Sequence, residues 1–118
     1  MDDIRVWHIT PTQSIQLERD APTLDAVTRQ LPEGYYSTFR TYDGGTLVLR
    51  LKAHLRRLFD PVSAPEVDED RLRRELRAVL EQYRPGEARV RAVLTSQGQA
   101  YLALEPLQLL PREVYDRG

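Results

Sequence analysis

Residues 34–58, GYYSTFRTYDGGTLVLRLKAHLRRL, restrict the fold more than any other part of the chain. Residues 35–42 read as a strand, whose side chains must alternate between two faces. Tyr35, Ser37, Phe39 and Thr41 share one face, and Tyr36, Thr38, Arg40 and Tyr42 share the other. Asp43-Gly44-Gly45 suits a hairpin connection that needs positive φ, and residues 46–49 return. The period then changes: Leu51, Leu55, Leu58 and Phe59 fall at i, i+4, i+7 and i+8, which is one helical stripe over residues 51–59. Arg40 thus lies on a sheet, and Arg57 on a helix that leaves the same sheet. Two fixed guanidinium groups near one another suit a doubly anionic ligand such as a phosphate ester. His54 lies three residues before Arg57 and can reach the same rim. As a histidine near a helix boundary, it can equally be spent on a backbone hydrogen bond.

The remaining elements follow from the same signals. Residues 5–9 form a first strand rich in β-branched and aromatic side chains, and Ile15 and Leu17 alternate in a weaker second one. Residues 24–31 fit a short helix with Thr23 as N-cap and Pro32 past its end. A longer helix spans 69–83, with Asp68 as N-cap and Leu72, Leu76, Val79, Leu80 and Tyr83 as its buried stripe. Residues 87–95 alternate strictly: Ala88, Val90, Ala92 and Leu94 face one way, and Arg89, Arg91 and Val93 the other. A turn at Ser96-Gln97-Gly98-Gln99 returns the chain through residues 101–105. The fold class is therefore α+β: a small, mostly antiparallel sheet with two main helices on one face. If the strands share one sheet in register, Tyr36, Thr38, Arg40, Arg89 and Arg91 line the second face.

Composition narrows the function classes. At 118 residues the chain is one domain with room for a single core. A net charge of −1 gives no general attraction to nucleic acid or to membranes. The arginines at 71, 73, 74 and 77 interleave with Asp68, Glu69, Asp70 and Glu75 at helical spacing, so they read as a salt-bridged face. There is no cysteine, and His8 and His54 are the only histidines, so neither a disulfide framework nor a zinc site is expected. No G-x-S-x-G nucleophile elbow occurs. Met1-Asp2-Asp3 lacks the pattern of a signal peptide, and no apolar run reaches the ~20 residues that span a bilayer. The expected location is the cytoplasm. Of 17 basic residues only Lys52 is lysine, which fits either a GC-rich genome or a demand for bidentate anion recognition.

Three segments together resemble a known family. GYYSTFRTYDGG at 34–45 resembles the G-x-x-E-T-x-R-x-x-x-G segment of the class IV aminotransferases, the fold-type IV pyridoxal-phosphate (PLP) enzymes. His54-Leu55-Arg56-Arg57-Leu58 is similar to their H-x-x-R-L motif, and Arg89-Val90-Arg91-Ala92-Val93-Leu94-Thr95 to the basic strand after their second helix. Order and spacing match over about residues 34–105. The family includes branched-chain and D-amino-acid aminotransferases and aminodeoxychorismate lyases.

The resemblance implies roles. Arg57 matches the arginine that holds the PLP phosphate. Tyr36 and Arg91 match positions facing substrate, and Arg40 matches the arginine near the pocket edge; these three are the expected substrate-binding residues. Arg89 stands where some relatives carry tyrosine. Ser37 stands where the family usually has glutamate, and residues 1–31 match poorly. The family's catalytic lysine, which holds PLP covalently and moves the α-proton, sits in a second, larger domain. Lys52 does not stand in that lysine's context.

The expectation is therefore that residues 1–118 form the small N-terminal domain of a PLP-dependent aminotransferase, ending at the interdomain linker and inactive alone. Its parent would act on an amino acid and a 2-keto acid as a homodimer. A fragment of an aminodeoxychorismate lyase and a stand-alone, non-catalytic binding module are the alternatives. Leu102, Leu104, Leu107, Leu109 and Leu110 are too apolar for a free end, so they are expected to pack on the lysine-bearing domain and to drive self-association without it.

Overall fold

The computed structural model describes residues 4–18 and 21–107. Nine elements follow in chain order: β1 (Arg5–Ile9), β2 (Ser14–Leu17), α1 (Leu24–Gln30), β3 (Gly34–Tyr42), β4 (Leu47–Val48), α2 (Leu51–Phe59), α3 (Glu69–Leu80), β5 (Glu87–Thr95) and β6 (Ala100–Leu107). The six strands form one sheet in the order β2-β1-β6-β5-β3-β4, and every neighbouring pair is antiparallel. Among the described residues, no helix is long and apolar enough to cross a membrane.

The α+β class and the two helices on one face are as expected. Asp68 caps α3 by accepting from the Arg71 N–H at 2.7 Å, and Thr23 caps α1 by accepting from the Ala26 N–H at 3.0 Å. The helix begun at Glu69 ends at Leu80, three residues short of the predicted end. Residues 81–83 instead close tighter turns, with Gln82 N–H bonded to Val79 O and Tyr83 N–H to Leu80 O. Two of the four α3 arginines are salt-bridged as expected, Arg71 to Glu75 at 2.5 Å and Arg73 to Asp70 at 2.9 Å.

Each face of the sheet buries its own cluster. On one, Trp7, Ile9, Phe39, Val90, Ala92, Leu94, Leu102 and Leu104 meet Leu55, Leu58 and Phe59 of α2 and Leu72, Leu76 and Val79 of α3. On the other, Val6, Val93, Tyr101 and Ala103 meet Leu24 and Val27 of α1. Alternation along β5 and β6 divides the two sets, since a pleated strand sends neighbours to opposite sides. This overturns one expectation. Leu102 and Leu104 are completely buried in the chain's own core, because β6 is an interior strand between β1 and β5. Leu107 is half-buried, and Leu109 and Leu110 lie outside the described residues.

The β3–β4 hairpin turns through Asp43, Gly44 and Gly45, at φ of 58°, 69° and 83°. These are left-handed values, which glycine adopts without a Cβ penalty. The turn is held by a residue that the sequence did not mark. Glu87, at the start of β5, accepts from Thr41 Oγ1 at 2.6 Å and from the N–H groups of Gly44 and Gly45 at 2.9 and 3.0 Å. Thr41 Oγ1 in turn accepts from the Ala88 N–H at 2.9 Å.

The Thr41 hydroxyl, then the two glycine N–H groups and the Arg40 charge, hold the Glu87 carboxyl below its ordinary 4.5, against the opposing effect of partial burial. A carboxyl depressed on folding stabilises fully above its unfolded pKa, and that stability is lost as pH falls through the folded value. Glu87→Gln is therefore expected to cost about 1–2 kcal/mol at neutral pH. The gap from the parent should narrow on acidification below the ordinary value of 4.5. Urea midpoints of the two proteins across that range test this, and a gap that does not change with pH would contradict it.

Candidate functional site

The order of strands places the first half of β3 at the rim of the sheet. β4 pairs only with Thr41 and Tyr42, so among the described residues no strand covers the outer side of residues 34–40. On the inner side Gly34 pairs with Thr95 so closely that a Cβ would lie 2.4 Å from Thr95 Cα. Only glycine permits this approach. It brings the start of β3 hard against β5 and leaves the space above the rim open.

Helix α2 rises over that rim on the Ser37 and Phe39 side. Its first turn begins at Arg50, which takes left-handed values of φ 56° and ψ 34° and so reverses the chain directly out of β4. Leu55, Leu58 and Phe59 anchor the helix in the core, while His54 and Arg57 remain at its edge. Between helix and strand lies a cleft of about 430 Å³. Gly34, Tyr35, Tyr36 and Ser37 form its sheet wall, and His54, Arg57 and Leu58 its helix wall.

The cleft is basic, and among the described residues no acid lines it. Arg57 is exposed and has no ion-pair partner among the described residues. His54 Nδ1 and Ser37 Oγ are 2.9 Å apart, and the imidazole packs against the Phe39 ring with centroids 5.1 Å apart. Burial, then the charges of Arg57 and Arg50, push the His54 pKa below its ordinary 6.5, so the ring is neutral at neutral pH. Guanidinium, imidazole and hydroxyl facing one space can bind a compact oxyanion. The sequence left His54 between two readings, and the structure gives its ring a side-chain partner, Ser37. The alternation of β3 contained the signal, because it puts Ser37 on the face that α2 covers.

Of the other predicted site residues, Tyr36 lines this cleft, and Arg40 and Arg91 do not. Arg40 follows Phe39 in the alternation and projects to the opposite side of the sheet from Arg57. There its Nε donates to Thr41 O at 2.8 Å and its guanidinium stacks on the Tyr42 ring at 4.2 Å. The sheet thus separates the two arginines that the sequence placed close together.

Arg91 shares the Arg40 face, as the alternation predicted, and the strand register sets it opposite Thr38. It is only 8% exposed. Its Nε donates to Thr38 Oγ1 at 3.0 Å, and its Nη1 donates to Asp25 Oδ1 at 2.7 Å and Thr28 Oγ1 at 2.9 Å. The guanidinium also covers the Tyr36 ring at 4.3 Å. Asp25 and Thr28, both on α1, were not marked by the sequence. Tyr36 is exposed and lines clefts on both sides of the rim, which joins the two faces. Arg89 pairs outward with Glu105 at 3.5 Å.

Lys52 lies five residues before Arg57, on the far side of α2. It lines a separate cleft of about 320 Å³ with Arg56, Asp68, Glu69, Asp70 and Arg73, where charges of both signs face each other. Among the described residues no group of three or more His, Asp or Glu side chains is placed to hold a metal ion.

No protein-family profile matches the chain, and no curated relative matches it. Its fold is found in a solved structure, that of a Thermotoga maritima protein assigned as a branched-chain amino acid aminotransferase. The two superpose with a TM-score of 0.65 at 20% sequence identity, over 92% of this chain and 39% of that one. The likeness is one of fold, and this chain spans well under half of that protein's length.

Proposed function

We propose that this chain is the small domain of a PLP-dependent class IV aminotransferase-like protein, and that the cleft between β3 and α2 receives the phosphate of the cofactor. The observation that carries this reading is Arg57: a guanidinium without an acid partner among the described residues, beside neutral donors, on the helix that the resemblance marks for that role. The fold shared with an aminotransferase over 92% of the chain supports it. The donor set fits a phosphate monoester, since a dianion needs cationic and neutral donors and no carboxylate among the described residues lines the cleft.

When bound, PLP would supply the electron sink for moving an amino group between an amino acid and a 2-keto acid. This chain's residues would hold and orient it. Arg57 would clamp the phosphate. Tyr36, at the rim, would form part of the substrate wall, its ring held by Arg91. Arg40 would contribute its charge from the far face. The amine that engages PLP would come from a second domain, because Lys52 lies across α2 from the cleft. The same reading makes the parent a homodimer and places it in the cytoplasm.

The chain alone is expected to bind inorganic phosphate weakly, with Kd of roughly 1 mM. Arg57→Gln should weaken that binding at least about tenfold, and Lys52→Gln should leave it unchanged. Backbone amide NMR shifts during a phosphate titration measure both. Undiminished binding by Arg57→Gln would reject the reading.

A further inference from the structure

The reading of the cleft as a phosphate site does not say which proton of the Ser37–His54 pair faces the ligand, and the inference drawn here rests on that reading. We propose that Ser37 sets the tautomer of His54, so that the imidazole presents Nε2–H as a second, neutral donor to the oxyanion held by Arg57.

The 2.9 Å contact joins Ser37 Oγ to Nδ1. A hydroxyl is the better donor of this pair and an sp² imidazole nitrogen the better acceptor. The bond therefore runs from Oγ–H to Nδ1, which leaves the ring proton on Nε2. Packing against Phe39 restrains the ring plane. His54 and Arg57 are three residues apart on one helix, the spacing at which side chains meet over a common ligand. Both line the same cleft, and among the described residues no carboxylate there competes for their protons.

Burial disfavours imidazolium, and the neighbouring charges of Arg57 and Arg50 act in the same direction. The histidine thus contributes a directed N–H without adding a third positive charge. Ser37 is a positioning residue, because it acts through His54. It replaces the glutamate that the related motif usually carries there. A glutamate so close would favour imidazolium, whereas a serine keeps the ring neutral.

Long-range ¹H–¹⁵N spectra of the chain report the His54 tautomer directly. The wild-type ring should be neutral and protonated at Nε2, and Ser37→Ala should relax it to a mixture. Inorganic phosphate should shift the Nε2 resonance. His54→Phe should weaken phosphate binding about tenfold and Ser37→Ala about threefold, while His54→Gln, which keeps an N–H donor, should stay within about twofold of wild type.

A ring protonated at Nδ1 would overturn the proposal. So would full phosphate affinity in His54→Phe with affinity lost in Arg57→Gln, a result that leaves the phosphate reading intact. Indifference of binding to Arg57→Gln as well would reject both.

Discussion

Arg91→Ala is expected to lower the free energy of unfolding by about 3 kcal/mol, a loss easily resolved by urea titration. The buried guanidinium is the link between α1 and the sheet. It makes three short hydrogen bonds, to Thr38, Asp25 and Thr28, and stacks on Tyr36. Truncation leaves two threonine hydroxyls without this partner, removes a cation–π contact worth about 1 kcal/mol, and empties the space of the aliphatic stem.

Asp25 gives an independent readout. The hydrogen bond and charge of Arg91 hold its carboxyl below the ordinary 3.8. Its pKa should rise towards that value in the variant. Asp25→Ala should cost clearly less, since this carboxylate is solvent-exposed and the threonine bonds survive. Wild-type stability in Arg91→Ala would show that the guanidinium is not structural and is free for a ligand.

Gly34→Ala is expected to cost about 3 kcal/mol and to impair the cleft at the same time. The added methyl carbon would lie 2.4 Å from Thr95 Cα and 2.5 Å from Leu94 O. Both obstacles are backbone atoms, so no rotamer change relieves them. β3 and β5 would have to part at the corner where Ser96 N–H also bonds to Glu33 O at 3.0 Å. Ser37 and Tyr36 follow within three residues, so the sheet wall would shift relative to α2. Urea midpoints and phosphate titration should both change. An unchanged midpoint would mean that the strands do not approach as closely as described.

Much of this architecture was legible because it depends on local chemistry. Asp68 and Thr23 announced their helices, Asp43-Gly44-Gly45 announced the hairpin, and alternation in β3 and β5 put Thr38 and Arg91 on one face. What escaped depends on which strands become neighbours. Leu102 and Leu104 form the same alternating pattern in an interior strand as in a strand awaiting a second domain, and only the insertion of β6 between β1 and β5 decides. The Glu87 carboxylate lies 43 residues from the Gly44 N–H that it holds, beyond any local signal. Arg40 and Arg57 were close in sequence order but fell on opposite faces. The alternation of β3 contained that information, and it became decisive only once α2 was seen to cover Phe39.

The division of the core into two clusters gives the domain a seam. The larger cluster joins α2 and α3 to most of the sheet, and the smaller one depends on the seven residues of α1. A helix that short has little stability of its own. Its attachment to the sheet combines Leu24 and Val27 with the Arg91 hydrogen bonds. Amide exchange should therefore proceed in two tiers, with α1 opening as a unit well before β5 and β6. Each such opening uncovers Val93 and Tyr101 and releases the clamp on Tyr36, while the Arg57 cleft on the other face stays assembled.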